Sequence, residues 1–189
     1  EKLRHDILTM KRDPDKLLAD VAAMRRRMAE HKKVSNPWDL KQVRGGLVDL
    51  EFIVQYLLLR HGRDKPAILR QQPLAALEAL REARLLEAGQ AKTLDEAGRL
   101  YATLLAAARL AGRDEAGDPE RWPPALAQRL PELLNEKDMP ALTRRLVKMQ
   151  GAVHDLFNTL VDMPAAPYLA LADSLNPDRQ AGQTDGDAD

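Results

Sequence analysis

The residues of this chain best suited to chemistry lie between Asp39 and Gln55, in the run DLKQVRGGLVDLEFIVQ. A polar stretch carrying Asp39, Lys41 and Arg44 ends in Gly45-Gly46, and an apolar run follows with carboxylates set into it at Asp49 and Glu51. Glycines that open a helix can present backbone N–H groups at the positive end of its dipole, a natural seat for phosphate. Neither G-x-x-x-x-G-K nor G-x-G-x-x-G occurs, so this is no standard phosphate loop. With Gly46 as N-cap, Asp49 falls in the first helical turn, where the dipole stabilises a carboxylate by about 0.3–1 kcal/mol. Glu51 and Gln55 stand four apart on one face of a helix that otherwise demands burial. A buried, ionised Glu51 needs a cation or water, and Lys41 and Arg44 across the turn are the nearest candidates. Two readings stay open: an internal ion pair that fastens the loop to a capped helix, or a polar edge offered to a ligand.

Other groupings are weaker. His5-Asp6 and His154-Asp155 are HD dipeptides, and His61, His154, Asp155 and Asp162 can be cast as an HD-type phosphohydrolase site, although each also suits a solvated helix face. Asp13-x-Asp15 and Asp185-x-Asp187-x-Asp189 are paired acids, one at a helix start and one near the end of the chain. Metal pairs need rigid support, so neither is assigned to catalysis. HExxH and G-x-S-x-G are absent, and with no cysteine the chain has no thiolate site or disulfide.

The elements that position these residues are helical. The 189 residues are 44% hydrophobic but only 4% aromatic, rich in Leu, Ala, Arg and Glu, which predicts an all-α fold. Residues 2–11 read as a helical lead-in with Leu3, Ile7 and Met10 on one face. Asp13-Pro14 starts a helix to about His31 with Leu17, Leu18, Val21, Met24 and Met28 inward and a basic outer face of Arg25, Arg26, Arg27, Lys32 and Lys33. Trp38 to Lys41 alternates like a short extended segment, and Leu47 to about Gly62 is apolar nearly all round, a central helix enclosed by others. Further helices follow Pro73, a capping box at Thr93-Leu94-Asp95-Glu96, and Pro123-Pro124, the last disturbed at Pro131; Arg113 to Trp122 reads as a surface loop. Asp138 caps a long helix to about Asp162. The expected architecture is a single irregular bundle of six or seven helices over residues 1–168, with a disordered acidic tail at 169–189.

Charge sets further bounds. Lys plus Arg and Asp plus Glu number 29 each, so no global field favours nucleic acid or an anionic membrane, and neither is expected as a partner. From Leu171 onward five aspartates face one arginine, which leaves the body mildly basic. The longest apolar run is too short and too acidic to span a bilayer, and a cytoplasmic location is expected. A helix at the first residue predicts a chain cut from a longer protein.

The segment DLKQVRGGLVDLEFIVQYLLLRHG closely resembles D-[LI]-K-x-x-x-G-G-[IL]-x-D-[IL]-E-F-x-x-Q-Y-L-x-L-R of bacterial glutamine synthetase adenylyltransferases, also called adenylyl-removing enzymes. LRHDILTMKRDPDKLLADVAAMRRRM resembles the same family's link between nucleotidyltransferase and helical domains, so residues 1–12 read as that link and 39–62 as motif plus central helix. The resemblance implies an enzyme that transfers AMP from ATP to a glutamine synthetase tyrosine and removes it by phosphorolysis, with magnesium, under control of PII proteins. It further implies that this chain is the helical domain only, inactive alone because the G-S…D-x-D catalytic motif is missing. The acidic tail favours the adenylylating half. Carried over as lining the cleft toward the catalytic domain are Asp39, Lys41, Gly45, Gly46, Asp49, Glu51 and Gln55, with Lys41 at phosphate or a catalytic carboxylate and Glu51 ordering it. The rival expectation is a helical module that binds a PII protein or glutamine synthetase without approaching the nucleotide.

Overall fold

The computed structural model describes residues 6–32, 34, 36–113 and 116–175. Asp13 sets the first long element: its side chain accepts from the N–H groups of Asp15 and Lys16, Pro14 takes the first position, and α1 runs Pro14–His31. Helix α2, Leu47–His61, starts at Gly46, and a 3-10 turn at Pro66–Ile68 leads into α3, Pro73–Glu82. Helix α4 is Ala88–Leu110, and a second 3-10 turn at Pro119–Arg121 precedes α5, Pro124–Leu133. Helix α6, Met139–Phe157, is capped by Asp138, whose carboxylate accepts the Ala141 N–H at 2.7 Å. It widens into a π turn at Asn158–Asp162 before α7, Met163–Leu175. The described residues therefore form seven α-helices and no strand, the expected all-α class.

Helix α2 is the hub. It packs against α1, α3, α4 and α6, while α7 lies along α1. Leu50, Ile53, Val54 and Leu57 are buried within it, each worth about 1.5–3 kcal/mol of hydrophobic burial. They join Leu77, Leu80, Leu94, Leu104, Leu142, Leu146 and Phe157 from the surrounding helices in one apolar cluster.

Several local expectations are corrected. The chain stays helical past Tyr168 to Leu175, into the first residues of the stretch expected as a tail; residues 176–189 lie outside those described. Pro164 has no N–H to return to Leu160 and its ring crowds that carbonyl, so the helix takes a wider turn just before it instead of ending there. The Thr93 pattern lies inside α4, where the Thr93 hydroxyl donates to the Gly89 carbonyl at 3.1 Å. The working cap is Glu87, whose N–H donates to the Gln90 side chain at 3.0 Å. Residues 37–46 form consecutive turns in place of an extended segment, although Trp38 and Leu40 do point inward. The 113–122 loop is partly core: Ala116 and Trp122 are buried, with Trp122 set edge-on to Trp38 at 5.8 Å. Helix α5 runs through Pro131 unbroken. The lead-in is helical at residues 6–8, with Ile7 and Met10 exposed; residues 1–5 lie outside those described.

Candidate functional site

The centre of the Asp39–Gln55 motif is a buried ion pair that joins α1 to α2. Arg25 and Asp49 are both completely buried, and the Arg25 Nε donates to Asp49 Oδ1. Arg25 Nη2 reaches the Gln42 carbonyl at 3.1 Å, while Nη1 is buried without a hydrogen-bond partner. Asp49 Oδ2 accepts the Gly45 N–H, and Oδ1 also lies 3.4 Å from Arg44 Nη1. Arg44 extends the network: its Nη2 donates to Asp162 at 3.1 Å and its guanidinium covers the Phe157 ring at 5.1 Å. Arg26 closes on Asp162 at 3.7 Å. The π turn at 158–162 thus brings Asp162 to the same cluster. Taking Arg25 and Asp49 out of water is expensive, so the pair adds little net stability, but removing one partner strands the other.

The expectation that the outer face of α1 is uniformly solvated fails at Arg25. A signal for this was present: Leu18, Ala22 and Arg25 stand at i, i+4 and i+7, and all three are buried. Met24, assigned inward from its apolarity, is exposed. Asp49 likewise does more than answer the helix dipole, since it ties the turn, α1 and its own helix start together.

The double glycine is a packing requirement. Gly45 has φ +74°, and a Cβ there would stand 1.8 Å from the Gln150 carbonyl oxygen of α6. A Cβ on Gly46 would stand 2.5 Å from the Leu40 carbonyl. The turn is held from outside as well: the Tyr101 hydroxyl donates to the Gly45 carbonyl at 2.7 Å, and the Gln150 amide donates to the Pro37 carbonyl at 2.7 Å. Burial, and then the Asp49 carboxylate, push the Tyr101 hydroxyl far above the ordinary tyrosine range, so it stays a donor.

The N–H groups expected to be open for phosphate are all engaged. Gly45 donates to Asp49, Gly46 to the Val43 carbonyl at 2.9 Å, Leu47 to Leu40 at 2.7 Å and Val48 to Lys41 at 3.2 Å. A phosphate there would have to break the fold of the turn.

The remaining motif residues divide by depth. Asp39 is half-buried; it accepts the Gln42 N–H at 3.1 Å and faces Lys32 at 3.5 Å. Lys41 is half-buried, and Gln55 is exposed. Glu51 is half-buried, and burial raises its carboxyl above the usual range. Arg44, expected beside Glu51, is committed to Asp49 and Asp162. Glu51 and Gln55 line a cavity of about 180 Å³ together with Arg70 and Gln71. Asp39, Gly45, Gly46 and Asp49 thus build the turn, while Glu51 and Gln55 reach a surface cavity.

The HD-type site does not assemble. Asp162 is paired with arginines, and among the described residues no three His, Cys, Asp or Glu side chains are placed to hold a metal ion. Asp13 is spent on capping α1. No helix among the described residues is long and apolar enough to cross a membrane.

Comparison with known proteins matches residues 15–161 to the family model described as GlnD PII-uridylyltransferase. The chain is 35% identical over 157 residues, 83% of its length, to the bifunctional glutamine synthetase adenylyltransferase/adenylyl-removing enzyme of Bradyrhizobium diazoefficiens. It is 35% identical over 161 residues, 85% of its length, to the enzyme of that name in Rhodopseudomonas palustris strain TIE-1. Its counterpart in Chromobacterium violaceum is 43% identical over 114 residues, 60% of the chain. The matches cover 16%, 16% and 13% of these relatives, so the chain spans only a small part of their length.

Proposed function

The chain belongs to the family described as GlnD PII-uridylyltransferase, and on that premise we propose that it is the helical part of a glutamine synthetase adenylyltransferase. In this reading a nucleotidyltransferase domain elsewhere in the protein moves AMP from ATP to a glutamine synthetase tyrosine, or removes it by phosphorolysis, in the cytoplasm. Magnesium and ATP belong to that domain. The described residues of this part do not fit a metal, having no cluster of three suitable ligands. The names of the relatives support glutamine synthetase as substrate, and the family description supports PII as a further partner of the whole enzyme.

The observation that carries the proposal is the contrast within α2 between a locked start and a half-buried carboxylate one turn later. Arg25, Asp49 and the glycine turn fix the register of the helix, so Glu51 is held in place although burial opposes its ionisation. An uncomfortable carboxylate on a rigid support is what a domain contact near a reaction centre requires. Glu51, Gln55 and Lys41 meet the catalytic domain or its nucleotide, with Asp49, Gly45 and Gly46 as positioning residues. In the full-length enzyme, Lys41→Ala and Glu51→Ala should each lower adenylylation of glutamine synthetase by about tenfold or more. Circular dichroism and melting should stay close to wild type. Wild-type rates in both variants would remove the proposal.

A further inference from the structure

The far end of α2, about 20 Å from the glycine turn at 1.5 Å per residue, opens on a different surface. A cavity of about 490 Å³ lies between the lead-in and the end of α2, and its lining includes Lys11, Arg12, Arg60, His61, Arg63 and Asp64. We infer that this cleft is a binding site for a small phosphate-bearing anion, with Lys11, Arg12, Arg60 and Arg63 as its cations.

Two segments of chain, the lead-in and the end of α2 with the turn after it, bring positive charge to one concavity. Arg60 and His61 have an ordinary explanation, since cations are favoured at the C-terminal end of a helix. Arg63, directly after the cap Gly62, shares that explanation, but Lys11 and Arg12 come from the lead-in and do not. Arg12 is fixed by bonds from Nη2 to the Ile7 carbonyl at 2.7 Å and from Nη1 to the Met10 carbonyl at 3.1 Å. Arg60 is fixed by the Tyr56 hydroxyl at 2.9 Å and the Tyr56 ring at 5.8 Å. Neither uses a carboxylate, and neither Lys11 nor Arg63 has an ion-pair partner among the described residues. Asp64 is the acidic residue of the lining. Four cations against one acid repel one another unless an anion sits between them. Arginine forks match phosphate oxygens, and the volume falls in the range of small-molecule sites, which favours a phosphorylated metabolite over an extended acidic peptide.

His61 reports on the same field. Burial first, then Arg60 and Lys65, hold its imidazole below the usual range, with Asp64 opposing. Lys11 and Arg12 of the lead-in line the same cavity as His61, and Asp15 of α1 lines the neighbouring cavity that His61 shares. An anion in the cleft offsets the cations and raises the His61 pKa, so binding strengthens as pH falls.

The test is titration of the 189-residue chain with inorganic pyrophosphate, followed by calorimetry and by the His61 imidazole signals in NMR. Saturable binding is expected, weakened about tenfold by Arg63→Ala and by Lys11→Ala, with the His61 titration displaced upward by the ligand. ATP binding more tightly than pyrophosphate identifies a nucleotide as the source of the phosphate, and equal affinity identifies the polyphosphate itself; both support the site. Three results overturn it: no saturation by pyrophosphate below about 10 mM, affinity unchanged in folded Arg63→Ala and Lys11→Ala, or binding of a poly-aspartate peptide alone.

Discussion

The two ends of α2 carry the same kinds of side chain and use them in opposite ways. At the N-terminal end Arg25, Arg26 and Arg44 meet Asp49 and Asp162, the central pair is fully buried, and the backbone donors from Gly45 to Val48 are taken. At the C-terminal end Lys11, Arg12, Arg60 and Arg63 line an open cleft in which Asp64 is the acidic residue. Charge content is therefore a poor guide to role. What separates a structural cluster from a binding one is whether its central charges are paired and dry or unpaired and wet. The first end holds the fold in register; the second leaves a field for something else to neutralise.

The sharpest way to break the closed end is Gly45→Ala. The residue needs a positive φ, and its Cβ would overlap the Gln150 carbonyl, which belongs to helix backbone and cannot swing aside. The expected loss exceeds about 4 kcal/mol, seen as a large drop in the urea midpoint or as failure to fold. A loss below about 1 kcal/mol would mean that the turn relaxes freely and that the end is not locked.

Next in size is the ion pair. Asp49→Ala leaves Arg25 charged and buried with Nε unpartnered as Nη1 already is, at an expected cost of about 3–5 kcal/mol. Asp49→Leu combined with Arg25→Met removes both charges, and should cost less than either single change despite the larger alteration. The Gly45 N–H still loses its acceptor in the double variant, so recovery stays incomplete. Denaturation of Asp49→Leu, Arg25→Met and the double variant measures the coupling. Additive losses would show that the pair is not a unit.

How far these ends were legible in the sequence follows from the same contrast. The helices were readable because their signals are local: Asp13-Pro14, the glycine pair, the apolar run of α2 and the Asp138 cap each act within a turn or two. Glu51 and Gln55 stand out by spacing within one helix. Arg25 is not legible because its partner stands 24 positions away, and an arginine reads as solvated until the pairing is known. Asp162 required contact with Arg44 across 118 positions, and the Gly45 requirement came from Gln150 of α6, neither visible as local pattern. Thr93-x-x-Glu96 misled for the converse reason: the pattern is local, but a helix already begun does not need it.

The smallest expected effect lies at the open end, where Arg63→Ala should change stability by no more than about 0.5 kcal/mol. Arg63 is exposed and has no ion-pair partner among the described residues, so little packing is lost. What changes is repulsion from Lys11, Arg12 and Arg60, and the sign should favour the variant. At low ionic strength the variant should therefore be slightly the more stable protein, and in about 1 M salt, where the Debye length shrinks to about 3 Å, the difference should vanish. Urea denaturation at both salt concentrations checks this. A loss above about 1.5 kcal/mol at either salt would mean that Arg63 is held by the fold as Arg25 is, and the two ends of α2 would no longer differ in kind.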